Sequence, residues 1–279
     1  MAARTIWRME MSKGKLLSCL LGLLFAAIST SGMAAQGTLT VGTEGDAPPY
    51  SMADATGNVT GFDADVARSI CAKLDVTCKF VVQAFDTLIP ALDAKRFDIV
   101  ISGLGITEER KKKIGYSIPY ASAPQYFIVP KGSALAKFTS LPPLLTALKG
   151  KSIGVVTGTT YSRFIAKNIP DATIKSYDSL TQMESDLSAR RFDTAFDDGS
   201  SWTDYLKKPE GANFEQVPVK VIATDDPSTL GHGMGVGIRK DNQDLTKKID
   251  VALCDIIKSG QMKAMSEKWF NDDFSLTCK

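Results

Sequence analysis

Residues 99–101, Ile-Val-Ile, are an apolar run short enough for a buried parallel strand, and only a short glycine turn separates them from a helix start. The turn reads Ser102-Gly103-Leu104-Gly105-Ile106, after which Thr107 is the expected N-cap, with Glu108 and Glu109 in the first helical turn. At such a junction two glycines let a ligand approach the backbone, unpaired N–H groups face outward, and Arg110 offers a planar fork of donors matched to a carboxylate. Read alone, the motif favours the plainer reading, in which Arg110 is the first member of a solvated charge run with Lys111, Lys112 and Lys113.

The first 35 residues change what the composition means. Arg4, Arg8, Lys13 and Lys15 precede an apolar run over 16–28 and small residues around Ala34 and Ala35, the pattern of a cleaved signal peptide. Residues 1–35 are therefore expected to direct export to the periplasm. Their removal takes away four basic and one acidic side chain, so the formal net charge passes from +2 to −1 and a nucleic-acid partner gains no support. The remaining 244 residues can bury a large core in two lobes. Cys71, Cys78, Cys254 and Cys278 remain after export, an even number in an oxidising compartment, and are expected to pair as Cys71–Cys78 and Cys254–Cys278. With His232 the only histidine, neither a metal nor another cofactor is expected.

Strand and helix patterns alternate along the mature chain, which predicts an α/β fold. Residues 38–43 form a strand that runs into Glu44-Gly45-Asp46-Ala47-Pro48-Pro49-Tyr50, a loop at a strand's carboxyl end, where α/β folds keep their ligands. Glu44 and Asp46 there suit a cationic group, although acids in such loops are also commonly just solvated. Gly61-Phe62-Asp63 opens a helix with Val66, Ile70 and Leu74 on one face, and residues 79–83 make the next strand. Phe85 and Asp86 begin a helix whose Leu88, Ile89, Leu92 and Ala94 face inward; Phe85 suits a core staple as well as a ring stacked on a ligand.

Extended segments over 114–120 and 125–129 pass toward a second α/β pattern. That pattern has a strand over 153–157, a turn at Gly158, and a helix opening at Thr159-Thr160-Tyr161, where free N–H groups attract anions. A strand over 173–177 and a capping box from Ser179 into a helix ending near Arg191 follow. The strand over 193–196 ends in Asp197-Asp198, which would suit an ammonium, a metal or a helix cap. A glycine-rich, β-like stretch over 231–238 leads to helices over 245–258 and 261–270.

The motif Gly61-Phe62-Asp63-Ala64-Asp65-Val66 resembles the signature of family 3 extracellular solute-binding proteins, receptors of amino-acid ABC importers. Phe85-Asp86-Thr87-Leu88-Ile89-Pro90, Ile106-Thr107-Glu108-Glu109-Arg110 and Gly154-Val155-Val156-Thr157-Gly158-Thr159-Thr160 continue the likeness in order. The Cys71 and Cys78 spacing is similar to that of the lysine/arginine/ornithine and histidine receptors. The resemblance implies a type II periplasmic-binding-protein fold, each lobe a mixed sheet flanked by helices, with the ligand in the interlobe cleft. The first lobe would be residues 36–123 plus 223–279 and the second 124–222.

By position, the resemblance implies that Arg110 grips an α-carboxylate with Thr160, in a turn that also contains Thr157 and Thr159, and that Asp198 takes the α-ammonium. Phe85 would stack on the ligand side chain, Ser102, Gly103 and Gly105 would meet the head group, and Glu44 would face a basic side chain. Asp197 stands where an acid is unusual and receives no role. Ala47 replaces an aromatic wall, and Gly103 and Gly105 stand where hydroxyl residues are common, so the pocket is expected to be roomy and an opine remains a candidate. The expected protein is a monomeric, non-catalytic receptor that binds a polar, basic amino acid or opine and presents it to an inner-membrane ABC permease. The alternative is a periplasmic arogenate or prephenate dehydratase on the same fold.

Overall fold

The computed structural model describes residues 37–278; the signal-peptide expectation for residues 1–35 lies outside the described residues. The chain begins with strand β1 (Gly37–Thr43), a small antiparallel sheet of β2 (Asp46–Ala47), β3 (Ser51–Ala53) and β4 (Val59–Thr60), and helix α1 (Phe62–Lys73). Then come β5 (Val76–Val82), α2 (Leu88–Asp93), β6 (Ile99–Val100), α3 (Glu108–Lys113) and β7 (Gly115–Tyr116). A second group follows: β8 (Gln125–Pro130), α4 (Leu141–Ala147), β9 (Ser152–Val156), α5 (Thr160–Asn168), β10 (Thr173–Tyr177), α6 (Leu180–Ser188), β11 (Thr194–Asp198), α7 (Gly199–Tyr205) and β12 (Phe214–Gln216). The chain closes with α8 (Pro227–Leu230), β13 (Gly237–Ile238), α9 (Gln243–Lys258) and α10 (Gln261–Phe270).

Two five-stranded mixed sheets result. The first has the order β5-β1-β6-β13-β7, with β5, β1 and β6 parallel and β13 antiparallel to both of its neighbours. The second has the order β10-β9-β11-β8-β12, with β8 running against β11 and β12. Both sheets are buried on two faces, which is why their central strands read as unbroken apolar runs. In β6, Ile99 enters the core under α1, α9 and α10 with Phe62, Val66 and Leu253, whereas Val100 enters the core under α2 with Leu88 and Phe97. In β11, Phe196 packs with Phe127 and Phe164 toward α5, and Ala195 lies with Leu180 and Met183 toward α6.

Local chemistry sets several boundaries where the sequence expectation differs. Strand β5 starts at Val76, earlier than residue 79, because the register with β1 runs from Gly37 onward. Ala94 is exposed and does not join the core: α2 ends at Asp93, and Lys95 turns into left-handed backbone with φ 59°. Likewise α6 stops at Ser188, short of Arg191, with Arg190 at φ 54°. Only Gly237–Ile238 of the glycine-rich stretch forms a strand, since Gly231 and Gly233 take φ 82° and 94° and break the extended run. Gly61 stands at the start of α1 with φ 121°, and any β-carbon there would collide with the Tyr50 carbonyl.

Both expected disulfides form. Cys71–Cys78 joins the end of α1 to β5 with Cα atoms 5.8 Å apart, and Cys254–Cys278 ties the tail to α9 at 5.3 Å. Their sequence separations of 7 and 24 residues imply different loop-closure entropies. Replacing Cys254 and Cys278 by serine should cost about 3.5 kcal/mol of unfolding free energy, against about 2.5 kcal/mol for Cys71 and Cys78. Urea unfolding of the two double variants measures this, and a larger loss from the shorter loop would contradict the loop-entropy account.

Candidate functional site

The turn after β6 is held in place from below. Gly103, at φ 54°, donates its N–H to Asp63 Oδ2 at 2.6 Å, while Asp63 Oδ1 accepts the Tyr120 hydroxyl at 2.9 Å. Burial pushes the Asp63 carboxyl up to about 7 even though both hydrogen bonds oppose the shift. Ser102 Oγ accepts the Glu44 N–H at 3.0 Å, which fixes the end of β1 against the end of β6. Thr107 caps α3 by accepting the Arg110 N–H, as the sequence indicates.

Arg110 is 4% exposed and reaches from the first sheet to the second. Its Nη1 donates to the Gly105 carbonyl and its Nη2 to the Gly158 carbonyl, both at 2.9 Å, and the guanidinium lies 5.3 Å from the centre of the Phe85 ring. Both acceptors are neutral, so the guanidinium's charge has no ion-pair partner among the described residues. Gly158 can stand this close because it takes φ 77° and because a β-carbon there would lie 2.8 Å from Asp86 Cβ.

The facing wall comes from the second sheet. Thr159 occupies the N-cap position of α5, but its hydroxyl turns back to the Val156 carbonyl at 2.7 Å, so the first N–H groups of α5 receive no side-chain cap. Asp198, at the end of β11, accepts from Tyr161 at 2.5 Å and from Gln125 at 3.1 Å. Burial raises its carboxyl to about 6 against these hydrogen bonds. Asp197 accepts the Asp198 N–H at 2.8 Å and is raised well above the carboxylate range, first by burial and then by the charge of Asp198.

Glu44 is 8% exposed. Its backbone is engaged by Ser102 and Ser51, but its carboxylate has no hydrogen bond or ion pair among the described residues. Burial, with Asp46 and Asp86 nearby, pushes it up to about 8. Asp46 itself does not turn to the cleft, as the sequence suggests. Its oxygens take the Thr181 hydroxyl at 2.6 Å and the Thr181 N–H at 3.2 Å, at the start of α6.

One cavity between the sheets is lined by Glu44, Phe85, Ser102, Gly103, Gly105, Arg110, Thr159, Thr160 and Asp198. Thr157 does not line it; its N–H is used by the Tyr177 carbonyl at 2.8 Å. The sequence reading assigned no lining role to Tyr50, Val156, Tyr161, Leu180 or Ser201, and it left Asp197 without one. Tyr161 sits beside Thr160 in sequence, but its partner Asp198 lies 37 residues away, so no local pattern joins them. The cavity is lined by a buried cation, Arg110, and by the buried carboxylates of Glu44, Asp197 and Asp198, which together complement a zwitterion carrying an additional positive charge. Among the described residues no group of histidine, cysteine or acidic side chains could hold a metal ion.

Residues 39–272 match the model of the bacterial extracellular solute-binding proteins, family 3. The chain is 36% identical over 251 residues to the putative ABC transporter arginine-binding protein 2 of Escherichia coli, covering 90% of this chain and 98% of that one. It is 34% identical over 258 residues to the lysine/arginine/ornithine-binding periplasmic protein of the same organism, covering 91% and 95%. Among solved structures, a Salmonella typhimurium periplasmic binding protein described for its high arginine specificity superposes with a TM-score of 0.74 at 33% identity, covering 84% of this chain and 99% of that one.

Glu44, Asp63 and Asp198 hold protons more tightly in the folded chain than in the unfolded one. Each contributes stability that is complete below about pH 4 and is lost as pH rises through about 8, 7 and 6 respectively. The ligand-free protein should therefore melt at a higher temperature at about pH 5.5 than at about pH 8.5. Glu44→Gln should flatten the upper part of the descent, toward about pH 8, where Glu44 titrates highest of the three. Melting curves across pH test this; an unchanged descent in the variant would show that Glu44 does not carry it.

Proposed function

The chain belongs to the bacterial extracellular solute-binding proteins of family 3, and on that footing we propose that its ligand is a basic amino acid, arginine first among the candidates. It is a non-enzymatic, substrate-binding component of an amino-acid ABC importer of the periplasmic kind. It acts as a monomer exported by its residues 1–35, and hands its ligand to an inner-membrane permease.

The observation that carries the ligand class is the Glu44 carboxylate, buried at the cavity wall with neither hydrogen bond nor ion pair among the described residues. An apolar or anionic ligand side chain would leave that group enclosed and unmatched, whereas a guanidinium or ammonium restores its charge balance. Arg110 with Thr160 takes the α-carboxylate, Asp198 the α-ammonium, and Phe85 lies along the side chain. The relatives support the same class, since two of them are named for arginine or for lysine, arginine and ornithine. The dehydratase alternative finds no such support.

Residues 36–123 and 223–279 act as one lobe and 124–222 as the other, closing on the ligand by a hinge motion. Contacts that cross between the sheets suit a closed form: Arg110 to the Gly158 carbonyl, Asp46 to Thr181, and Glu109 to Arg163 at 3.0 Å.

Calorimetry should find arginine, ornithine, lysine, histidine or octopine bound in preference to glutamine, glutamate and leucine. Arg110→Ala should weaken the best ligand by about 3–5 kcal/mol, because its carboxylate would be enclosed without a charge partner. Glu44→Gln should reduce the preference for cations. A wild-type preference for glutamine or glutamate would overturn the basic-ligand reading and leave family membership untouched.

A further inference from the structure

Side chains alternate across a strand, and β11 uses this to present its last two acids differently. Asp198 falls on the side of Phe196, toward α5, where Tyr161 holds it. Asp197 falls on the side of Ala195, toward α6, and both Asp197 and Leu180 at the start of α6 line the cavity. Ala47 and Glu44, which follow β1 of the first sheet, line the same cavity. Asp197 and Glu44 are each more than nine-tenths buried, and the charge of Glu44 adds to the raising of the Asp197 carboxyl.

Among the described residues no cation pairs with either of them. Arg110 is engaged with two carbonyls, and Lys208 is paired with Glu184 at 2.8 Å. Asp197 accepts one backbone N–H through Oδ1, and no hydrogen bond reaches its Oδ2 among the described residues.

We infer that Asp197 is a specificity residue, which together with Glu44 forms a pair of carboxylates, one from each sheet, around the distal cation of the ligand side chain. The inference rests on the basic-ligand reading and deepens it. Two carboxylates approaching from opposite walls suit a planar guanidinium, whose five N–H donors spread in one plane, better than they suit a neutral urea or a compact group with fewer fixed donors. They also repel any ligand that brings a carboxylate to that end of the cavity. Ala47, a small side chain, lines the same cavity.

Arginine and citrulline test this directly, since they match in shape and differ in the charge of the distal group. Asp197→Asn keeps an oxygen to accept the Asp198 N–H while removing the charge. Its arginine-to-citrulline affinity ratio, measured by calorimetry, should fall fivefold or more below that of wild type, with the citrulline affinity nearly unchanged. A merely structural role would weaken both ligands alike and leave the ratio standing. If the asparagine variant does not fold, Asp197→Ser takes its place, with circular dichroism checking the fold. A ratio that falls less than fivefold in a folded variant, with wild type still binding arginine, overturns the role of Asp197 alone. Failure of wild type to bind any basic amino acid overturns the reading of the ligand class on which it rests.

Discussion

A buried guanidinium without a carboxylate partner is the feature on which the cleft depends. Arg110 is desolvated almost completely, and the two carbonyls that receive it come from turns belonging to different sheets. Carbonyl dipoles satisfy its donors but leave its full charge, so an anion entering the cleft gains a charge-assisted partner already oriented by the Phe85 ring and the α3 backbone. The same guanidinium links the two walls. Any group that displaces the Gly158 carbonyl must replace that link with one of its own.

The acids of the cleft are the complement. Glu44, Asp197 and Asp198 are buried around one cavity, and burial is the first cause that raises each of the three. Such a group of carboxylates is costly in an enclosed site unless protons or cations balance it. Asp63 differs, because its two hydrogen bonds are both structural: it anchors the Gly103 turn to α1 and to Tyr120. The motif that begins α1 therefore holds the Gly103 turn, which lines the cavity, without lining it itself.

What was legible in the sequence was what is local. The β6 strand, the Thr107 cap and the Ser179 cap each depend on neighbours within three or four residues, and each is present where the pattern indicated. Strand and helix ends were misjudged where a non-glycine residue took left-handed backbone, as at Lys95 and Arg190, since ordinary propensities argue against that conformation. The long-range pairs were not legible at all. Asp63 with Gly103, Tyr161 with Asp198 and Asp46 with Thr181 are brought together only by the fold. Asp46 shows the consequence: its residue type suggested a ligand-facing acid, and its neighbours made it the partner of a helix start.

The strand order has a further consequence, for the sequence of events in folding. Among the described residues, strand β7 of the first sheet pairs with β13 alone, which also separates it from β6. That sheet therefore stays unfinished until residues near Gly237 are available, whereas every strand of the second sheet lies between Gln125 and Gln216. Pairings across long stretches of chain pay their loop-closure entropy late. The part of the molecule synthesised first is thus the last to complete. Until it does, the open edges of β6 and β7 leave the nascent protein without half of its ligand cleft and dependent on its own C-terminal residues to close the sheet.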